Sequence, residues 1–168
     1  MKDSLVMKRK SIRRYKPRTV EPSKVDRLLR SAMQAPSATN QQPWEFKVIR
    51  NRETLKALSK VSKGAWPLKE APLGVITLMR ETGRKSDMRP QDMGACMQNL
   101  LLEATYQGLG AVWIGVYPLE DRIEKVSGLA DVPEHLTPFS MVAIGYPEEG
   151  EDTAINERFD KNRVHYDE

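Results

Sequence analysis

The sequence predicts an α+β fold in which a mixed central β-sheet is sandwiched by helices. Short apolar segments with strand patterning alternate with amphipathic helical segments along the chain. This alternation lacks the regular strand–helix–strand spacing of a doubly wound parallel sheet, which favours the α+β class. The length of 168 residues is that of one ordinary domain, so residues 1–168 are predicted to form a single unit.

The first third of the chain contains a helix, a strand and a short second helix. Pro22 suits the first position of a helix, and apolar residues then recur at helical spacing as far as Ala32. That helix must end before Pro36, because the residue preceding a proline avoids helical geometry. Alternating residues 45–50 indicate a strand, and Asn51 is placed to cap the short helix after it.

The later elements follow from apolar runs and the glycine and proline residues beside them. The longest helical pattern is apolar around much of its circumference, which indicates a central helix. It carries Cys96 on its apolar face, where we expect an inert core thiol. The predicted strands are 73–79, 111–116 and 139–144, the predicted helices are 90–106 and 118–128, and the predicted loops are 60–72, 80–89 and 148–168.

Composition narrows the class of protein. The net charge is +4 and the sequence pI about 9.2, which suits anionic small molecules as readily as nucleic acid. A lone cysteine cannot form an internal disulfide, and the N-terminus lacks the pattern of a secretory leader, so a cytoplasmic location is expected. No apolar run approaches the roughly 20 residues that span a bilayer, so no membrane association is expected.

A cluster of cations near the start of the chain is the first candidate binding element. Residues 8–15, here called the basic arm, contain five Lys or Arg side chains around one hydroxyl. In an extended arm, Arg9, Ser11 and Arg13 would share one side, and paired guanidinium donors suit a phosphate monoester. The alternatives are a solvated basic arm and one that follows a nucleic-acid backbone.

The second candidate element is a polar connection between the first helix and the first strand. Residues 36–44, here called the polar loop, place short hydrogen-bonding side chains between two prolines and end on an aromatic residue. Such a stiffened loop could hold a polar ligand in a fixed orientation. An ordinary helix-to-strand turn is an equally supported alternative.

Several common sites are excluded by their missing patterns. The sequence has no glycine-rich phosphate loop of either common type and no Gly-x-Ser-x-Gly elbow. His135 and His165 are far apart, and neither they nor the single cysteine form a zinc-binding pattern, so no metal is expected. Asp87 and Asp92 are expected only to cap a helix or form salt bridges.

Ordered segments along the chain resemble the signatures of the FMN-dependent nitroreductase family. The basic arm contributes Arg9-Lys10-Ser11-Ile12-Arg13-Arg14-Tyr15, and the polar loop contributes Pro36-Ser37-Ala38-Thr39-Asn40-Gln41-Gln42-Pro43-Trp44. The later segments are Gln91-Asp92, Gly108-Leu109-Gly110-Ala111-Val112-Trp113-Ile114-Gly115, Ala143-Ile144-Gly145-Tyr146-Pro147, Arg158-Phe159-Asp160 and Arg163-Val164-His165-Tyr166. The matches keep the family's order and cover nearly the whole chain.

The resemblance implies a set of FMN ligands, and it implies a homodimer with FMN at the subunit interface. In the basic arm, Arg9, Ser11 and Arg13 would reach the phosphate and the polar edge of the flavin ring, and Lys10 would contribute mainly through its backbone. The polar loop would reach the flavin of the other subunit. The full set implied is Arg9, Lys10, Ser11 and Arg13 in the arm, Pro36, Ser37 and Asn40 in the loop, Trp113, Ile114 and Gly115 at a strand end, and Arg158 or Arg163 near the C-terminus.

The implied reaction passes a hydride from NADH or NADPH to the flavin and then to an electron-poor acceptor. Nitroaromatics, quinones and similar small molecules fit a ping-pong scheme in one slot, with no catalytic side-chain acid or base. Arg13 would stabilise negative charge on the reduced ring. Reductive dehalogenation or flavin breakdown on the same fold is an alternative. A basic nucleic-acid-binding domain is a further one, disfavoured because Tyr15 is the only aromatic beside the cations.

Overall fold

A four-stranded antiparallel β-sheet organises the fold, with the strands Trp44–Ile49, Leu73–Arg80, Leu136–Gly145 and Gly110–Gly115 in that spatial order. The computed structural model describes residues 4–83, 87–150 and 157–167. Its strands are β1 (Trp44–Ile49), β2 (Leu73–Arg80), β3 (Gly110–Gly115) and β4 (Leu136–Gly145). The predicted α+β class is therefore confirmed, and each predicted strand is present within three residues of its expected bounds.

Helices cover both faces of this sheet. The helices are α1 (Leu5–Lys8), α2 (Pro22–Met33), α3 (Arg52–Leu58), α4 (Arg89–Tyr106) and α5 (Glu120–Leu129), and short 3₁₀ segments occupy Ala38–Asn40, Lys63–Lys69 and Lys161–Arg163. Two core clusters result, one between the sheet and helices α2 and α4, the other between the sheet, α3, α5 and the Lys63–Lys69 segment. Within the described ranges, no helix is both long enough and apolar enough to cross a membrane.

The two central strands are buried on both faces, which explains their apolar sequences. Every residue of β2 except Arg80 is buried, although Thr77 is polar. Its hydroxyl lies 2.7 Å from the hydroxyl of Ser140 on β4, so the two polar groups satisfy each other inside the sheet. Helix α4 packs its buried residues against this sheet, as the central position predicted for it requires.

Three features differ from the sequence-based expectation. The named strands pair antiparallel throughout, and among the described residues the parallel component of the predicted mixed sheet is only an isolated bridge between Ser11 and Ala111. Helix α1 and the 3₁₀ segment Lys63–Lys69 lie where no helix was predicted. Strand direction and such short helices depend on contacts between distant segments, which local patterns do not encode.

The basic arm lies along β3, and two of its side chains are buried against the sheet. Ile12 and Tyr15 are both buried, and Ile12 donates its backbone N–H to the carbonyl oxygen of Ala111. The Tyr15 hydroxyl lies 2.5 and 3.0 Å from the carbonyl oxygens of Ile12 and Ala143. A Cβ at Gly110 would lie 2.6 Å from the Cβ of Ile12, so this close approach requires glycine.

Replacing Gly110 with alanine should therefore push the basic arm away from β3. The new methyl group would meet the branched Ile12 side chain near its backbone, where it has little freedom to move. We expect a loss of about 1–3 kcal/mol in the free energy of unfolding, measured by urea denaturation. Gly128→Ala is the matched control, because Gly128 is exposed in α5 and a Cβ there would meet no atom within 4 Å. Equal stability of the two variants would contradict this packing.

The thiol of Cys96 should resist modification in the folded protein. Cys96 is fully buried in α4, and desolvation raises the pKa of its thiol from 9.0 to about 12. The thiol therefore stays neutral at pH 8, and the stability it contributes is lost only as pH rises from about 9 towards 12. We expect iodoacetamide at pH 8 to label the unfolded chain much faster than the native one; comparable rates would place the thiol at the surface.

Candidate functional site

The basic arm forms one wall of a cavity of about 310 Å³ on the α4 side of the fold. Three cationic side chains line it, against one carboxylate, so the cavity suits an anion. The residues that line the cavity are Val6, Met7, Arg9, Lys10, Gln98, Glu157 and Arg158. Arg9 follows α1 in extended geometry, and Arg9 and Lys10 line the cavity together with Gln98 from the middle of α4.

Ser11 and Arg13 lie on the opposite side of the arm from Ile12. Both are exposed, whereas Ile12 is buried, as the alternation of an extended segment requires. An Nη1 of Arg13 donates to the Ser11 carbonyl oxygen at 3.3 Å, so the guanidinium lies close to the arm. Neither residue lines the cavity that contains Arg9 and Lys10.

The end of β3 is exposed at Gly115, whose carbonyl oxygen accepts from Arg122 Nη1 at 2.9 Å. Ile114 is buried in the core, whereas Gly115 is exposed and a Cβ placed there would meet no atom within 4 Å. Trp113 is 37% exposed and its ring centroid lies 5.8 Å from that of Phe139. A planar ligand can therefore approach the Gly115 backbone beside an aromatic wall.

Only one of the two C-terminal arginines contributes to the cavity. Arg158 lines it together with Arg9 and Lys10. Arg163 is 85% exposed and pairs with Asp160 at 3.3 Å. Within the described ranges, no group of three or more His, Cys, Asp or Glu side chains is arranged to hold a metal ion.

The polar loop adopts a backbone that is rare for residues other than glycine. Thr39, Asn40 and Gln42 have φ angles of 51°, 56° and 45°. Two hydrogen bonds hold its outer side: the Gln42 backbone N–H donates to Ser37 Oγ at 3.0 Å, and Gln42 Nε2 donates to Asn40 Oδ1 at 2.8 Å. This side of the loop therefore displays polar groups to a ligand or partner, and Pro36 beside it is also exposed.

The inner side of the polar loop is bonded to a buried carboxylate. Asp92, in the first turn of α4, accepts the Ala38 backbone N–H at 2.9 Å and Gln41 Nε2 at 2.6 Å. The expectation of a helix cap or salt bridge is therefore wrong for Asp92, whereas Asp87 does pair with Arg89 at 2.7 Å. Met88, the residue before α4, makes no side-chain cap bond, and it is Asp87 Oδ1 that accepts the Arg89 backbone N–H at 3.2 Å.

Two further residues bind the polar loop and were missed by sequence reasoning. Thr82 Oγ1 donates to Gln41 Oε1 at 2.7 Å. Arg80, the last residue of β2, donates to the carbonyl oxygen of Gln42 at 3.2 Å. The sequence signal for this contact was Asp92 itself, an acidic residue next to the apolar positions of the central helix. A carboxylate buried there needs hydrogen-bond donors from another segment.

A family model described as the nitroreductase family matches the chain over residues 6–89 and 70–146. A protein of Methanothermobacter thermautotrophicus, provisionally named NADH dehydrogenase/NAD(P)H nitroreductase, is 42% identical over 158 residues. That alignment covers 94% of this chain and 82% of the relative.

Solved structures with the same fold extend over nearly the whole chain. A protein of Clostridium acetobutylicum, provisionally named an NADH oxidase, is 44% identical with a TM-score of 0.93, covering 98% of this chain and 99% of the other. A provisionally named nitroreductase of Desulfovibrio desulfuricans, solved in complex with FMN, is 26% identical with a TM-score of 0.79, covering 98% and 94%. With the family model matching most of its length, this chain belongs to the nitroreductase family.

Proposed function

We propose that this protein is an FMN-dependent oxidoreductase that takes a hydride from NADH or NADPH and reduces nitroaromatics, quinones or similar electron-poor acceptors. The observation that carries the proposal is the convergence of Arg9, Lys10 and Arg158 on one cavity, with the exposed backbone of Gly115 in the strand beside the arm. The FMN found in one solved relative and the nicotinamide donors in the names of others support the same cofactor and donor here.

The cavity residues fit the phosphate end of FMN. Charge-assisted hydrogen bonds contribute about 1.5–3 kcal/mol each, so three cations supply roughly 5–9 kcal/mol. Nanomolar affinity requires about 12 kcal/mol. Burial of the flavin ring must supply the difference, so the phosphate contacts alone do not give nanomolar affinity.

The open strand end fits the ring of FMN. Gly115 has no side chain to hold a planar ring away from the backbone, and Trp113 provides an aromatic surface beside it. Ile114 turns into the core and contributes its backbone, and Arg13 and Ser11 lie on the exposed side of the neighbouring arm. These placements support the ligand set implied by the sequence signatures, with Arg158 favoured over Arg163.

A homodimer would complete the site with the polar loop of the second subunit. Within one subunit the polar loop does not line the arm cavity. Large apolar side chains are also exposed near the C-terminus, with Phe159 at 72% and Tyr166 at 78%. Exposed aromatic side chains of this size are typical of surfaces that a partner covers. A second copy would bury them and place Ser37 and Asn40 against the flavin.

Bound FMN would supply the redox chemistry: it would accept a hydride from the nicotinamide and then reduce the acceptor. The chain's own residues bind and orient it: the arm cations hold its phosphate, and Arg13 would stabilise negative charge at the polar edge of its ring. Donor and acceptor would use the same slot in turn, which gives ping-pong kinetics. The single cysteine of the sequence agrees with a cytoplasmic location.

Arg158 and Arg163 offer a matched pair of variants to test the phosphate grip. We expect Arg158→Ala to raise the dissociation constant of FMN by about 10- to 100-fold, because it removes one charge-assisted contact. Arg163→Ala should change that constant by less than about threefold, since its guanidinium pairs with Asp160 outside the cavity. Apoprotein titration by flavin fluorescence measures both; the reverse order would assign the contact to Arg163.

The proposed reaction predicts two separable half-reactions. Purified protein should be yellow, and NADH or NADPH should bleach the flavin absorbance under anaerobic conditions. Addition of a nitroaromatic or quinone after removal of excess donor should restore the absorbance, and initial rates should give parallel double-reciprocal plots. A colourless protein that does not bind added FMN but slows the migration of DNA in a gel would instead support nucleic-acid binding.

A further inference from the structure

We propose that Asp92 is a positioning residue: through Gln41 it holds the polar loop in the shape that contacts FMN. The inference rests on the proposed function, because the loop is taken to contact the flavin of the second subunit. Asp92 itself is buried behind the loop, whereas Asn40 is exposed on its outer side.

The Asp92 carboxylate is bonded to the polar loop through both of its oxygens. Its Oδ1 accepts the Ala38 backbone N–H at 2.9 Å, and its Oδ2 accepts Gln41 Nε2 at 2.6 Å. Asp92 is 6% exposed and Gln41 is 8% exposed, so water does not readily replace these bonds. Among the ion pairs of the described residues, none involves Asp92, so the loop supplies its donors.

The backbone of the polar loop requires such a support. Thr39, Asn40 and Gln42 all occupy the left-handed region, with φ between 45° and 56°. Most residues with a Cβ rarely adopt this region, Asn and Asp less rarely than others, so three such residues in one loop need support from surrounding contacts. The bond from Ala38 to Asp92 enters the loop directly before the first of these residues, and the bond from Gln41 lies between the second and third.

The loop therefore divides its amides between two roles. Gln41 points inward, donating to Asp92 and accepting from Thr82 Oγ1 at 2.7 Å. Asn40 and Gln42 are exposed and bonded to each other at 2.8 Å. Fixing the inward amide fixes the backbone on both sides of it, and so fixes the direction of the outward pair.

Because Gln41 donates and Asp92 accepts, exchanging the amide and the carboxylate between the two positions should restore a contact that either single substitution breaks. In Asp92→Asn, an amide NH₂ can face the Gln41 NH₂, so that two donors meet and the contact is lost. In Gln41→Glu, two carboxylates meet. The double variant Asp92→Asn/Gln41→Glu restores one donor and one acceptor, and the new carboxylate can still accept from Thr82.

The experiment measures the FMN affinity of four apoproteins by flavin fluorescence: wild type, the two single variants and the double variant. Their melting temperatures are recorded in parallel. We expect each single variant to weaken FMN binding about tenfold, equal to about 1.4 kcal/mol, and the double variant to return within about threefold of wild type. Asp87→Asn is the matched control, because it removes a carboxylate near the start of the same helix that bonds Arg89 instead of the loop. It should bind FMN as wild type does.

Amide hydrogen exchange at Ala38 gives a readout that needs no flavin. The Ala38 N–H should be protected in wild-type apoprotein, exchange faster in both single variants and regain protection in the double variant. A merely structural role would lower the melting temperature without this pattern of rescue. If Asp92→Asn does not fold, Thr82→Val tests the same network from its outer end, and unchanged FMN affinity in that variant would overturn the inference.

The two proposals fail in different ways. Wild-type protein that binds no FMN would overturn the proposed function and this inference with it. Wild-type protein that binds FMN, with Asp92→Asn binding equally tightly, would overturn the positioning role alone. Weakened binding in the single variants without rescue in the double variant would also overturn it, because the Asp92–Gln41 contact would then not be the cause.

Discussion

The contact between Ile12 and Gly110 is the constraint on which the candidate site depends. Strand β3 lies at the edge of the sheet, where unpaired backbone groups invite pairing with another chain. The basic arm covers the start of this edge because Gly110 leaves room for the branched Ile12 side chain. The same contact fixes the register of the arm, and so determines which of its cations face the cavity and which face solvent.

The second organising contact is made by helix α4, which serves the core and the site at once. Its apolar residues pack against the sheet, while Asp92 binds the polar loop and Gln98 lines the cavity that the arm forms. A shift of α4 would therefore move the arm cavity of one proposed flavin site together with the polar loop that the same subunit would contribute to the other site. This helix explains how two segments some thirty residues apart in sequence are held in a defined relation to each other.

The proposed chemistry requires little of the protein beyond binding and orientation. A flavin performs hydride transfer itself, so the chain needs cations for the phosphate, open backbone for the ring and a rigid loop for its edge. In the proposed site these three features would come from the arm, Gly115 and the polar loop. Different acceptors can share such a site, which agrees with the different oxidase, dehydrogenase and nitroreductase names of its relatives.

Local sequence patterns determined the α+β class and the approximate bounds of the strands and longer helices, and they indicated the two polar segments of the candidate site. Apolar periodicity and proline or glycine positions depend on neighbouring residues, so they can be read directly. Only the tertiary structure decided the antiparallel pairing, the inclusion of Arg158 in the cavity, and the burial of Asp92 behind the polar loop. These depend on contacts between residues far apart in the sequence, and an acidic residue at a helix start looks the same in sequence whether solvent or a loop supplies its donors.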